Sequence, residues 1–390
     1  MLKLGGQPGG PAAVPVAAPF FQAGLAGYSD ASMRRIARRH GCPFCVTEAM
    51  LDRFLVNGGK GLAAAELDAD DRGPDAPIAG QLMGSHPDEL AEGARILVKL
   101  GYDVVDVNLA CPVKKIKKKA RGGHLLSVPE EALDILRATM DAVGSEVPVT
   151  VKLRRGYDDS PGAEAAFARV FEGAMELGLS GATVHSRTVQ QKYVGPGHRP
   201  RLREIARRYR LGAFFDGPAD GSRFVLGGSG DVWTAADVFA MLDGTGVDWV
   251  SVARGCIGNP WVFRQARSVA AERAAGRMRA GEPVDLDALR PPTVFQQRDV
   301  LREHFALAVA RDGEQHAGRT MRKFGIRFSR HHLDGPAIRQ RFIRVKNLAE
   351  WEAVLADFYE ADGPGVPTRA SLPPEAPAAV DAGDALLACG

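Results

Sequence analysis

Between about residues 19 and 270, short apolar runs alternate with longer stretches whose apolar positions recur every three or four residues. The short runs predict buried strands at Phe20–Leu25, Phe44–Thr47, Ile78–Met83, Val104–Leu109, Val147–Leu153, Ala182–His185, Arg223–Gly227 and Trp249–Ala253. The longer ones predict amphipathic helices, among them Ala31–His40, Pro87–Leu100, Pro129–Val143, Ala163–Leu177 and Thr234–Leu242. Eight such units predict a (β/α)8 TIM barrel over 19–270, because that fold takes roughly 250 residues. A connector rich in Ala, Arg and Pro (271–292) leads to residues 293–361, where only the helical period persists and a small helical domain is expected. The Gly/Pro/Ala-rich ends read as a flexible N-terminal arm (1–18), without the pattern of a signal peptide, and a disordered tail (362–390).

Composition changes this picture little. Hydrophobic content of 45% and charged content of 25% are those of a soluble globular chain, and no apolar run is long enough to span a membrane. Five cysteines, an odd number without framework spacing, point to a reducing cytosol and hence a cytoplasmic protein. Cys42 and Cys45 form a CxxC with no second pair to complete a zinc set. A net charge of +3 implies no polyanionic partner by itself, so any such signal must be local.

Two segments carry local signals. After the apolar run Val104–Leu109 comes a lone Cys111, then Pro112, then six basic residues before His124 and no acid among them. Two readings stand at this point: a core cysteine beside a solvated lysine turn, or a proton donor beside a polyanion. Between Arg319 and Lys346 nine Lys/Arg face one acid, Asp334, with Phe324, Phe328, His331 and His332 interleaved. That asymmetry reads as a phosphate-tracking face, with the aromatics serving the core of the helical domain.

In a parallel barrel the ligand sits at the C-terminal strand ends. Those ends carry Leu25-Ala26-Gly27, Gln81, Asn108 with Cys111, Lys152 with Arg154, and His185 with Arg187. The seventh runs into Gly227-Gly-Ser-Gly-Asp231 and the eighth into Ala253-Arg254-Gly255, the two loops where this fold recurrently binds phosphate.

Taken together these residues resemble the tRNA-dihydrouridine synthases, nearest the bacterial B-type, over roughly residues 20–360. The most specific piece is Asp106-Val-Asn-Leu-Ala-Cys-Pro-Val-Lys-Lys115, where the family has D-x-N-x-G-C-P-x-x-K. Val151-Lys-Leu-Arg154, Val184-His-Ser-Arg-Thr188, Ser229-Gly-Asp231 and Arg254-Gly-Cys-Ile-Gly-Asn-Pro-Trp261 follow in the family's order. The resemblance implies FMN at the barrel mouth and NADPH-driven reduction of the C5=C6 bond of a tRNA uridine. It assigns Leu25, Ala26, Gly27, Gln81, Lys152, His185, Ser229, Gly230, Asp231, Ala253 and Arg254 to the cofactor. Cys111 becomes the acid that protonates C5, while Asn108, Lys114, Lys115, Arg154, Arg187, Arg322 and Lys323 fall to the RNA side. A thiol of ordinary pKa, about 8.5, is mostly protonated at neutral pH and can donate directly. The lysines after Cys111 would depress that pKa if they faced the sulfur, so they are expected to face phosphate.

The chain departs from the family at Gly24-Leu25 (usually Pro-Met), at Ser229 (usually Asn), and at Ala110 and Ala253 (usually Gly). Arg121-Gly-Gly-His124 also differs from the usual small-residue turn, and 208–222 reads as an insertion. Two other functions remain open at this stage. A flavin barrel acting on a free small molecule, of the dihydroorotate type, is disfavoured by the basic helical segment. An RNA-binding protein that has lost its activity is disfavoured by the presence of both Cys111 and Lys152.

Overall fold

The computed structural model describes residues 2–7, 9–67, 77–113, 121–212, 223–285 and 289–368. An antiparallel hairpin, β1 (Leu2–Leu4) and β2 (Val14–Val16), precedes the barrel. The staves are β3 (Phe20–Gln22), β4 (Cys45–Val46) extended by β5 (Met50–Leu51), β6 (Ile78–Met83), β7 (Val104–Leu109), β8 (Val149–Arg154), β9 (Gly181–His185), β10 (Val225–Ser229) and β11 (Trp249–Val252). Every neighbouring pair is parallel, and β4 pairs with both β3 and β6, so the sheet closes as a (β/α)8 barrel. The strands are buried almost throughout, as parallel staves covered by helices must be.

Helix ends follow local chemistry. Asp30 caps Ala31–Arg39 by accepting from the Met33 N–H, and Thr234 with Asp237 forms a capping box on Ala235–Thr245. Gly101 ends Pro87–Leu100 in the left-handed region.

Three boundaries differ from expectation. The segment expected as a flexible arm carries the hairpin β1/β2. Leu4 and Val16 are fully buried in one cluster with Phe21, Phe44, Val104 and Trp249, closing the end of the barrel where the strands begin. Strand β10 runs on through Gly228 to Ser229, past the end at Gly227 that the sequence predicts. A Cβ on Gly227 would come within 2.6 Å of the Trp249 ring nitrogen, and one on Gly228 within 2.8 Å of the Met241 sulfur, so glycine marks close packing here. Of the expected tail, residues 362–368 are ordered against the helical segment, where the Val366 N–H donates to His331 O; 369–390 lie outside the described residues.

The hairpin yields a direct test. Leu4→Ala should lower unfolding stability by about 2 kcal/mol, the low end for a buried leucine because a terminal hairpin can undock locally. An unmoved denaturation midpoint would show that the hairpin adds nothing to the fold.

The C-terminal helices (Val294–Asp312, Glu314–Thr320, Arg322–Phe328, Gly335–Phe342, Leu348–Phe358) pack on the barrel beside its first loop. Trp261 meets Phe328 edge-on at 5.7 Å, Tyr28 meets Phe324 at 5.4 Å, and Arg311 pairs with Asp30 at 3.0 Å. Arg39 also pairs with Glu303. Phe324, Phe328, His331 and His332 are buried, as the core assignment requires.

Candidate active site

The strand ends converge at one mouth. On β7, the Asn108 Oδ1 accepts from the N–H groups of Ala110 (3.0 Å) and Cys111 (3.2 Å). The Arg154 Nε donates to Ala110 O at 2.8 Å, and the Gly123 N–H donates to Cys111 O at 3.0 Å. The turn that carries the thiol is thus held from three sides. A Cβ on Gly123 would meet both Val189 and Cys111 O, so the second glycine of the Arg121–His124 turn is a steric need. Arg121 itself forms a buried ion pair with Asp52 at 3.1 Å, tying this loop to the short helix Asp52–Val56 that follows β5. Cys111 is buried against Met83. It is disulfide-bonded in the structure, a departure from what a reducing compartment implies, so its proton chemistry is that of the reduced enzyme.

Beside the thiol lies a cluster of cations. Lys152 is buried, and its Nζ has no hydrogen-bond partner among the described residues; burial brings its pKa down to about 8, against the pull of Asp106. His185 is held well below the usual imidazole range, first by burial and then by Arg154, Lys152, Arg187 and Arg254. Its Nδ1 accepts from the Arg187 N–H at 3.1 Å, so the neutral ring carries its proton on Nε2 and can donate from there. The hydroxyls of Ser186 and Ser229 and the Arg187 Nη1 are likewise buried without partners among the described residues. Gly230 (φ 115°) leaves room over Ser186 that a Cβ would fill. Such a set of unsatisfied donors is costly to bury and suits an acceptor-rich ligand.

On sequence, the profile of the dihydrouridine synthase (Dus) family matches residues 21–354. This chain belongs to that family. A probable tRNA-dihydrouridine synthase of Mycobacterium tuberculosis is 28% identical over 356 residues, 88% of this chain and 82% of that protein. A tRNA-dihydrouridine synthase B of Shewanella oneidensis is 27% identical over 86% of this chain and 94% of its own length. A probable tRNA-dihydrouridine synthase of Treponema pallidum is 30% identical over 86% and 92% respectively. Among solved structures, histamine dehydrogenase from Rhizobium sp. 4-9 aligns at 14% identity and a TM-score of 0.48, over 69% of this chain and 47% of that one.

Within this Dus-family barrel, several residues expected to face RNA are turned to the protein. Arg154 is almost fully buried, and besides Ala110 O its guanidinium reaches Thr188 O and Lys192 O, each at 2.9 Å. Arg187 grips the Asp231 carboxylate at 2.7 and 2.8 Å and donates to Gly195 O. The Asp231 side chain is therefore spent on Arg187 and the Gly197 N–H, leaving its loop's backbone for an anion. Lys323 donates to Gly27 O and sits over the Tyr28 ring at 4.8 Å, while the Glu48 carboxylate accepts from the Gly27 N–H at 2.6 Å. Gly27, in the left-handed region at φ 75°, is gripped from both peptide sides. Asn108 is committed to Cys111 and Gln81 rather than open to a base. Lys114 and Lys115 lie outside the described residues.

Sequence reasoning missed Tyr193 and Glu48. Tyr193 lies 5.8 Å below the Arg154 guanidinium and 5.5 Å from that of Arg254, and burial pushes its hydroxyl up to about 12. The available signal was its place in the loop that follows the His185 strand end.

Proposed function

We propose that the protein reduces uridines in tRNA to 5,6-dihydrouridine, using FMN at the barrel mouth and NADPH as reductant, in the cytoplasm. The observation that carries this is the group of buried donors without partners among the described residues (Lys152 Nζ, Ser229 Oγ, Ser186 Oγ, Arg187 Nη1) at the strand ends that also carry the Cys111 turn. These donors fit a flavin with its phosphate: Leu25, Ala26 and Gly27 would line its ring, and Gln81, Lys152 and His185 would meet its polar atoms. Ser229, Gly230, Asp231, Ala253 and Arg254 would hold the ribityl phosphate through backbone N–H groups and the Arg254 charge. When bound, the flavin supplies the hydride that adds to C6 of the uracil.

The chain's own part is to hold the base, exclude water and deliver a proton. Cys111, in its braced turn, donates that proton to C5, where negative charge develops. Lys152, still mostly protonated at neutral pH, and the neutral His185 are suited to donate hydrogen bonds to the oxygen and nitrogen acceptors of a bound ligand. The target base must leave its stack, which costs a few kcal/mol that phosphate contacts offset. Arg319, Arg339, Arg344 and Lys346 are exposed on the helical segment and suited to that task, with Arg322 half-buried beside them.

Two measurements test this. The purified protein should show flavin absorbance in the visible range, and should form dihydrouridine in unmodified tRNA with NADPH. Absence of flavin after FMN reconstitution sinks the proposal, and flavin with no tRNA turnover shifts it to a small-molecule substrate. Arg339→Glu with Arg344→Glu should weaken tRNA binding and lower its salt slope by about 1 per lost phosphate contact. Lys323→Met should leave that slope unchanged, because its amine is turned to Gly27. A wild-type slope in the double variant removes the basic face from the interface.

A further inference from the structure

Side-chain amides have two orientations of almost the same shape, and only their partners choose between them. Below the mouth, a buried chain of such groups ends on Asp106. The Thr150 Oγ1 donates to Asp106 Oδ1 at 2.6 Å, and the Gln81 Nε2 donates to Asp106 Oδ2 at 2.7 Å. Gln81 then turns its Oε1 outward, where it accepts from the Asn108 Nδ2 at 2.8 Å. Asn108 in turn presents Oδ1 to the N–H groups of Ala110 and Cys111. Every donor in the chain points toward the carboxylate, and all of these side chains are buried.

We propose that Asp106 is a positioning residue for Cys111, fixing the orientation of the Gln81 and Asn108 amides so that the Asn108 oxygen grips the Cys111 turn. A carboxylate can only accept, so it permits one direction of the chain and no other. Were Gln81 to turn over, its oxygen would oppose Asp106. Asn108 would follow, and its NH2 would face the Cys111 N–H, donor against donor. Each buried group left unsatisfied in that state is penalised by its lost hydration. The importance of this for catalysis rests on the function proposed above; the geometry does not.

The polarity argument makes an unusual prediction about three nearly isosteric variants. Asp106→Asn alone should be tolerated, because the new amide can give its NH2 to Thr150 Oγ1 while its oxygen still accepts from Gln81. Thr150→Val alone should be tolerated, because Asp106 still only accepts. In the double variant the NH2 introduced by Asp106→Asn has no hydroxyl to turn to, so the forward chain carries an unsatisfied donor that turning to the Gln81 oxygen would relieve; its advantage over the reversed chain shrinks, and the Cys111 turn opens more often.

The readout is alkylation of Cys111 by iodoacetamide in reduced, FMN-loaded protein without tRNA, followed by peptide mass spectrometry. The buried thiols Cys42, Cys45 and Cys256 serve as internal references for general loosening. Both single variants should alkylate at Cys111 within about twofold of the unsubstituted protein, and the double variant about tenfold faster at Cys111 alone. Additive rates, or a rise that Cys42, Cys45 and Cys256 share with Cys111, would overturn the proposal. Should the double variant not accumulate, Gln81→Met breaks the chain at its middle; an unchanged Cys111 rate there overturns it equally. Alkylation requires no turnover, so it remains readable even if the tRNA assay fails.

Discussion

Cys111→Ala is expected to retain FMN and its reduction by NADPH, while reduction of tRNA slows by about 10²- to 10⁴-fold, the usual contribution of a positioned general acid. The structure makes this a clean deletion. The backbone of Cys111 is held by Asn108 and Gly123 through its own N–H and C=O, neither of which the substitution removes. In the reduced protein the side chain packs in a small cluster with Met83 and its neighbours, so little stability should be lost there. Stopped-flow measurement of the two half-reactions separates the cases. Equal slowing of both would mean that the variant disturbs the flavin site, and an unslowed tRNA step would remove the acid assignment.

The second large effect concerns Lys152, and it reverses sign with the ligand. In the protein without flavin, burial holds this amine at about 8, against about 10.5 for an unfolded lysine. The unfolded chain therefore binds more protons between those values, and stability rises with pH across that interval. Below it the burden is complete, and 2.5 units correspond to roughly 3 kcal/mol. Lys152→Met should then stabilise the flavin-free protein by up to about 3 kcal/mol at neutral pH, with the gain fading by about pH 10.5. The same change should abolish tight FMN binding, because the unpartnered Nζ is what an acceptor would meet. Thermal melts with and without FMN from about pH 7 to about pH 10 check both halves. A flavin-free variant no more stable than the unsubstituted protein would show that the amine is already satisfied.

How much of this was legible beforehand depends on where the information resides. Ile78–Met83 and Val104–Leu109 match expectation because a buried parallel strand announces itself as an apolar run. The hairpin β1/β2 did not, since three-residue strands among Gly and Pro carry no period to read. Cys111, Lys152 and His185 were legible because barrel topology places every strand end at one mouth. The partners of Arg154 and Arg187 were not, because they are loop carbonyls at Ala110, Thr188, Lys192 and Gly195 that no spacing encodes. Lys323 shows the same limit: it sits in a basic run, but its acceptor is the peptide of Gly27, almost three hundred residues earlier.

That last contact has a mechanical consequence. The helical segment is bolted to the barrel by the Lys323–Gly27 bond, by the Asp30–Arg311 and Arg39–Glu303 pairs and by the rings of Tyr28, Phe324, Trp261 and Phe328. Hinging it to embrace a large substrate would pull on the loop that lines the proposed flavin site. The protein then behaves as a rigid jig, and deformation on docking falls to the RNA. Substrates whose target uridine is already loose in its surroundings would be processed first, and tightly folded ones last, a ranking set by the softness of the RNA rather than by its sequence.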